Sequence, residues 1–152
     1  SELKKALKLL EGYSRAVVHV GTEPGQGQRM KVLNNAICIA SYVISSEALT
    51  YGEAGGLKVG EMLEVINESS GQNFATKFLF PKYVATEQYD ASGAEAHIIE
   101  KDISLFVEGA NGEGTPSKAI AAAYDIVKAF NDADPLQDQM NIYPYVKGLQ
   151  KD

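Results

Sequence analysis

The sequence predicts an all-α fold built around one long central helix, and three observations support this. Residues 28–54 contain no proline and a single glycine, Gly52, while Ala, Ile, Val, Leu and Tyr recur on most sides of the segment. A helix apolar nearly all round belongs in the middle of a fold, and at ~1.5 Å per residue this one would be about 35–40 Å long. Several later segments repeat apolar residues at helical spacing. Finally, the β-branched run Arg15-Ala16-Val17-Val18-His19-Val20 reads as one strand, and one strand cannot build a sheet.

Ahead of the long helix, Leu3, Ala6, Leu7 and Leu10 predict a short amphipathic helix over residues 2–11, ended by Gly12. The run 15–20 follows, stopped by Gly21, and Gly21 to Gly27 is a turn-rich linker containing Pro24. This helix-strand piece reads as the edge of a sheet that lies elsewhere. After the long helix, Gly55-Gly56 is the break. Residues 59–68 form a second helix with Met62, Leu63, Val65 and Ile66 inward, closed by Ser69-Ser70-Gly71. Residues 73–86 are aromatic-rich and helical, with a kink or break at Pro81. Tyr89 to Glu95 is a polar loop. Residues 96–110 and 116–131 are two more helices joined across Gly112-Glu113-Gly114, with Thr115-Pro116 as cap and first-turn proline. Asp134-Pro135 repeats that signal before a short last helix that Pro144 disrupts.

The 152 residues are 45% hydrophobic and 22% charged, enough for one domain with a core. A net charge of −6 argues against a nucleic-acid partner, which needs a basic face. No uninterrupted apolar run reaches ~18 residues, so no membrane span is expected. The N-terminal lysines precede no apolar signal core. The lone Cys38 sits in an apolar helical run and reads as a small buried hydrophobe. One cysteine excludes a disulfide framework, which suits a reducing cytoplasm. Starting at Ser1 rather than Met fits a processed or shortened chain.

The densest polar constellation opens the long helix: Gly25, Gly27, Lys31, Asn34 and Asn35. Residues three and four apart on a helix share a face, so the lysine and the asparagines project together near a helix start that favours anions. A cation in that first stretch opposes the macrodipole, and apolar neighbours Met30, Val32 and Leu33 would desolvate it, which suits an amine to proton transfer. Two asparagines inside an apolar helix cost helix propensity; they serve either as a brace to a neighbouring helix or as carboxamides that orient a hydroxyl or carboxylate. Lys101-Asp102 interrupt Ile98, Ile99 and Ile103 in the same way, as an exposed strip or as a cleft lysine with an orienting carboxylate. His19 and His97 have no partner at i+3 or i+4 and read as structural or solvated, so no metal site is expected. There is no P-loop, and Gly25-Gln-Gly27 has Met30 where a dinucleotide fingerprint needs its third glycine.

These residues resemble the C-terminal helical domain of the β-hydroxyacid dehydrogenases, the family of 3-hydroxyisobutyrate dehydrogenase, tartronate semialdehyde reductase and, more distantly, 6-phosphogluconate dehydrogenase. The resemblance runs from about Gly21 to the C-terminus. It rests on Gly25-x-Gly27-x-x-x-Lys31-x-x-Asn34-Asn35, then in order Ala48, Gly52, Gly56-Leu57, Asn67-x-Ser69-Ser70-Gly71, Lys101-Asp102-Ile103 and Thr115-Pro116.

The resemblance implies a helical bundle like the C-terminal domain of 6-phosphogluconate dehydrogenase over residues 22–152, with residues 1–21 the remnant of a nucleotide-binding Rossmann domain. It implies Lys31 as the catalytic lysine exchanging a proton with the substrate hydroxyl, and Asn35, with Asn34, as the substrate-holding asparagine. Gly25 and Gly27 would pack against substrate, and Lys101 and Asp102 would stand at the cofactor. NAD or NADP, a small 3-hydroxy acid or its semialdehyde, and a homodimer or tetramer follow as expected partners. Two positions depart from the family's pattern: Gln72 replaces the usual arginine after Ser-Ser-Gly, and Ala94 stands where an aromatic often precedes the Lys-Asp pair. The nucleotide-binding half, with its glycine fingerprint, is not in this chain, so the domain is expected to be inactive alone. A catalytically inactive helical oligomerisation module is the alternative, and the presence of Lys31 favours the enzyme.

Overall fold

A computed structural model describes residues 6, 10, 12–14 and 16–149. By backbone packing the chain divides into two compact units, residues 1–31 and 32–152. Among the described residues there are six α-helices and no strands.

In the first unit, Ala6 and Leu10 are helical, and the Tyr13 N–H donates to the Leu10 carbonyl at 3.0 Å in the turn at Gly12. The rest of the helix expected over residues 2–11 lies outside the described residues, as does Arg15. Residues 16–20 form no strand, contrary to the expectation from their β-branched composition. The reason is the one that composition alone cannot overrule: a strand exists through its ladder, and no neighbouring strand is present among the described residues.

Helix α1 (Gln26–Ala54) begins after Gly25, whose φ of 91° is open to glycine and strained for other residues. The second unit carries the core. Along it α1 buries Ala36, Ile39, Ala40, Tyr42, Val43 and Leu49. It also buries Ser45, Ser46 and Thr50, and the last two donate their hydroxyl hydrogens locally. Ser46 donates to the Tyr42 carbonyl at 2.7 Å, Thr50 to the Ser46 carbonyl at 2.8 Å, and Ser45 accepts from Asn73 Nδ2 at 3.0 Å. Such back-bonding lets hydroxyls enter an apolar helix without orphaned donors. Burial is one-sided, since Ile37, Ile44 and Tyr51 remain exposed at seven-residue intervals. By length and composition α1 is long and apolar enough to cross a membrane, despite its interrupting asparagines and serines; 44% of its most apolar window is buried.

Gly56 (φ 87°) turns the chain into α2 (Val59–Asn67). Leu63 is buried and Met62 and Ile66 pack partly against the core, but Val65 is two-thirds exposed and faces outward instead of inward. It lies only one residue from Ile66, a step of ~100° round the helix. A π-helical turn (Ala75–Leu79) runs into α3 (Phe80–Tyr83), where the Phe80 N–H reaches back five residues to the Ala75 carbonyl. Pro81 has no N–H to give, and the wider register absorbs that loss without a break.

α4 (Ala96–Glu113) and α5 (Lys118–Ala133) pack against each other across a short link. The join is later than the glycines suggested. Gly112 and Glu113 stay helical, Gly114 takes the left-handed conformation (φ 67°), and the Thr115 N–H donates to the Ala110 carbonyl at 2.9 Å. Thr115 therefore closes α4 in a Schellman-type end instead of capping α5, which starts after Ser117. Asp134 likewise caps no helix: its Oδ1 accepts from the Leu136 N–H at 3.0 Å. A 3-10 turn (Gln139–Asn141) starts from Asp138, whose carboxylate accepts the Met140 N–H at 2.9 Å, and leads into α6 (Ile142–Gly148). Pro144 does not disrupt α6, because it sits in the first turn where an N–H has no intrahelical partner to lose.

Phe80, Phe130, Leu49, Ile103, Met140, Ile142 and Val127 are the largest fully buried hydrophobic side chains of this core. Two polar ties brace α1 from outside it. Asn73 Nδ2 reaches Ser45 at 3.0 Å, beside a bond from Asn67 Nδ2 to the Thr76 carbonyl at 2.8 Å that ties α2 to the π-helical turn. At the far end, Tyr143 Oη and Lys147 Nζ both bond the Glu53 carboxylate, at 2.7 and 2.8 Å.

Candidate functional site

The polar residues singled out in the sequence lie on α1 and α4. In the first unit, Gly25 precedes α1, Gly27 is its second residue, and Lys31 is exposed. A side chain at Gly25 or Gly27 would meet nothing within 4 Å, so these glycines leave open space beside the helix start. The chain itself does not desolvate the Lys31 amine as its apolar neighbours suggested: Met30, next to it, is itself exposed.

In the second unit, the asparagine pair and the Lys-Asp pair come together. Asn34 is exposed and Asn35 half-buried. Asn35 Nδ2 donates to Asp102 Oδ2 at 2.8 Å, bridging α1 and α4. The Asn34 amide donates to Asn35 Oδ1 at 3.3 Å. On its other oxygen, Asp102 Oδ1 receives Lys101 Nζ at 2.6 Å. The Asp102 side chain is 15% exposed and that of Lys101 59%. The carboxylate is therefore sheltered and doubly bonded, while the ammonium lies at the surface. A charged carboxylate this sheltered is stable because it accepts charge-assisted bonds. The consequence is positional: Asp102 takes the amide nitrogen of Asn35, which fixes which end of that carboxamide faces outward.

A lysine ammonium has three donors; Lys101 gives one to Asp102 and faces solvent with the rest, a chemistry suited to a polar, anionic nucleotide. His97 plays no part in this group. Its Nδ1 lies 3.1 Å from the Pro135 carbonyl and 3.3 Å from Glu95 Oε2, a local tie at the start of α4. His19 is exposed in the first unit.

Three neighbours of the Asn35–Asp102 pair escaped sequence reasoning. Cys38, one turn along from Asn35, is half-buried, not enclosed as a small hydrophobe would be, and its Sγ donates to Tyr42 Oη at 3.4 Å. Burial pushes the Cys38 thiol up from its ordinary value, against the bond to Tyr42, and burial raises the Tyr42 phenol strongly, so both stay uncharged at neutral pH. Gln139 comes from the 3-10 turn. The spacing Asn35, Cys38, Tyr42 marks one helix face and could have signalled the first two. Nothing local could signal Gln139, 37 residues beyond Asp102.

Comparison with known proteins gives a consistent assignment. The family described as NAD-binding of NADP-dependent 3-hydroxyisobutyrate dehydrogenase matches residues 25–146. An NAD-dependent L-serine dehydrogenase of Pseudomonas aeruginosa is 32% identical over 126 residues, covering 78% of this chain and 42% of that protein. A 3-hydroxyisobutyrate dehydrogenase of the same organism is 30% identical over 138 residues, covering 86% and 46%. The 2-(hydroxymethyl)glutarate dehydrogenase of Eubacterium barkeri is 28% identical over 123 residues, covering 81% and 40%. The fold matches that of Mycobacterium tuberculosis 3-hydroxyisobutyrate dehydrogenase, solved with L-serine, at a TM-score of 0.81 and 22% identity, over 97% of this chain and 51% of that one. The chain thus spans about half the length of the relatives it matches. It belongs to the 3-hydroxyisobutyrate dehydrogenase family, as the C-terminal helical domain of that family.

Proposed function

We propose that this chain is the substrate-binding, cofactor-contacting and self-associating domain of an NAD(P)-dependent dehydrogenase that oxidises a small 3-hydroxy acid or reduces its semialdehyde. The observation that carries this reading is the Asn35–Asp102–Lys101 sequence of bonds, at 2.8 and 2.6 Å, between the two motifs that resemble the family's site. The relatives' names support the substrate class. L-serine, 3-hydroxyisobutyrate and 2-(hydroxymethyl)glutarate all carry a hydroxymethyl group on the carbon next to a carboxylate.

In this reading Asn35 binds the substrate with the end of its carboxamide that Asp102 leaves outward, and Asn34 steadies it. Lys31, four residues before Asn35 in α1, takes the hydroxyl proton as the alcohol is oxidised and returns it in the reverse direction. Gly25 and Gly27 leave room for the substrate. Lys101, tethered by Asp102, holds NAD or NADP at its exposed ammonium. The bound dinucleotide supplies the hydride exchange, and the protein positions and polarises. Residues 1–21 are the end of a nucleotide-binding domain, residues 22–152 the helical domain, and water exclusion around Lys31 comes from that partner domain when the cleft is complete. The setting is the cytoplasm. Ile37, Ile44 and Tyr51, exposed along α1, are the seam of a homodimer or of a tetramer built from it.

The test is turnover. The full-length enzyme is assayed with NAD⁺ and NADP⁺ against 3-hydroxy acids, and the 152-residue chain is assayed beside it. Activity is expected from the full-length protein alone. Robust turnover by the 152-residue chain would overturn the need for a second domain, and an inert full-length protein would favour an oligomerisation module without chemistry.

A further inference from the structure

The aromatic segment 73–86 has no part in the dehydrogenase chemistry, and its outer side differs from the rest of the chain. Phe74 and Phe78 are 50% and 58% exposed, and their ring centroids lie 5.3 Å apart. Lys77 and Lys82 are exposed on the same segment. Residues 69–86 include no aspartate or glutamate, in a chain whose net charge is −6. Neither lysine has a carboxylate partner among the described residues. Lys77 Nζ donates to Gln72 Oε1 at 3.2 Å, and Lys82 Nζ lies 4.7 Å from the centre of the Tyr83 ring. Exposed rings with two such ammoniums suit a partner that is apolar and carries negative charge.

The seam of α1 has the complementary pattern. Between residues 32 and 57 the only charged residues are Glu47 and Glu53. Tyr143 and Lys147 hold Glu53, whereas Glu47 is exposed and has no ion pair among the described residues. Glu47 lies between Ile44 and Tyr51 in the exposed row Ile37, Ile44, Tyr51. That row is symmetric about Ile44, with one apolar residue seven positions to either side. Two-fold rotation makes such a row self-complementary with the helices antiparallel: Ile44 meets its own copy, and Ile37 meets Tyr51. The two faces are neighbours within one chain, because Asn73 Nδ2 donates to Ser45 Oγ at 3.0 Å and so starts the π-helical turn against α1, one residue from Ile44. Resting on the self-association proposed above, we propose that a second copy of this chain covers the seam. α1 packs antiparallel to its counterpart about Ile44, Glu47 of each copy meets Lys77 and Lys82 of the other, and Phe74 and Phe78 close the edge of the apolar row.

The experiment measures the dimer Kd of the full-length enzyme by analytical ultracentrifugation. Glu47→Lys and, separately, Lys77→Glu with Lys82→Glu are each expected to raise Kd by about 10-fold or more, because each brings like charges together. The variant carrying all three substitutions exchanges the charges and is expected to return to within about threefold of wild type, a recovery that a misfolded protein would not show. Cross-linking checks the register. In a Cys38→Ser background, Ile44→Cys is expected to form a covalent dimer on mild oxidation. Ile37→Cys is not, since the two copies of residue 37 would stand fourteen residues of helix apart, about 21 Å. A dimer whose Kd ignores the charge reversals, a loss that the exchange does not repair, or a cross-link at Ile37→Cys and none at Ile44→Cys would overturn this arrangement and leave self-association standing. An enzyme that is monomeric at every concentration would overturn both, and dehydrogenase turnover, assayed separately, is untouched by either result.

Discussion

Asn35 Nδ2 donates to Asp102 Oδ2 at 2.8 Å and so joins α1 to α4 across 67 residues of sequence. Because Lys101 binds the other oxygen of the same carboxylate, one side chain sets the orientation of both proposed ligand-contacting groups. Asp102 is therefore a positioning residue, and its two bonds can be separated by mutation. Asp102→Asn keeps an acceptor for Asn35 and discards the charge that holds Lys101. Its loss should appear as a raised KM for the dinucleotide. Asp102→Ala removes both bonds and should lower kcat/KM for the hydroxy acid by a further 10–100-fold, from the roughly 1.5–3 kcal/mol of a hydrogen bond to a charged group. Steady-state kinetics against each substrate distinguishes them; identical profiles for the two variants would indicate a merely structural role.

The exposed seam of α1 makes a second expectation. Ile37, Ile44 and Tyr51 recur every seven residues and are 61%, 59% and 81% exposed. A row of this kind is stable in water once another apolar surface covers it. Ile44→Glu should shift the protein toward monomer in light scattering, while the wild-type chain associates. A wild-type protein that stays monomeric at high concentration would contradict this.

Asn73 carries more of the fold than its place in a loop suggests. Its Oδ1 accepts the Thr76 N–H at 3.1 Å, its Nδ2 donates to Ser45 inside α1 at 3.0 Å, and its own N–H donates to Thr76 Oγ1 at 2.9 Å. Asn73→Ala leaves the buried Ser45 and Thr76 groups short of partners, at about 1–3 kcal/mol. For a chain of this size, thermal denaturation should register a fall in Tm of roughly 2–4 °C per kcal/mol.

The opposite end of α1 gives a pH dependence. Partial burial works against the charge on Glu53, but the bonds from Lys147 and Tyr143 outweigh it and hold the carboxyl below its ordinary value. A carboxyl depressed in the folded state adds stability above its unfolded pKa, and that stability is lost as pH falls through the folded value. The Tm difference between wild type and Glu53→Gln should therefore be full at neutral pH and shrink below about pH 4, where unfolded glutamates protonate. A difference that grows on acidification would reverse the sign of this linkage.

What the sequence discloses depends on how local its physical cause is. α1 was legible because its cause is local: an apolar run without proline, bounded by glycines. Val18 and Val20 carry strand propensity, but a strand needs a partner and none is present among the described residues. Thr115 and Pro144 show a subtler limit, for each has the chemistry of a helix end, and only hydrogen bonding decides which end it serves. The same holds at the site. Asn34-Asn35 and Lys101-Asp102 were visible as polar interruptions of apolar helices, whereas their meeting, and the approach of Gln139, depend on how α1, α4 and the 3-10 turn pack.

The proton transfer proposed for Lys31 is tested most directly by kcat of the Lys31→Ala variant in the full-length enzyme. Loss of a general acid–base group should lower kcat by roughly 10²–10⁴-fold, with the fold intact by circular dichroism. A Lys31→Ala enzyme that retains wild-type kcat would contradict the proton-transfer role.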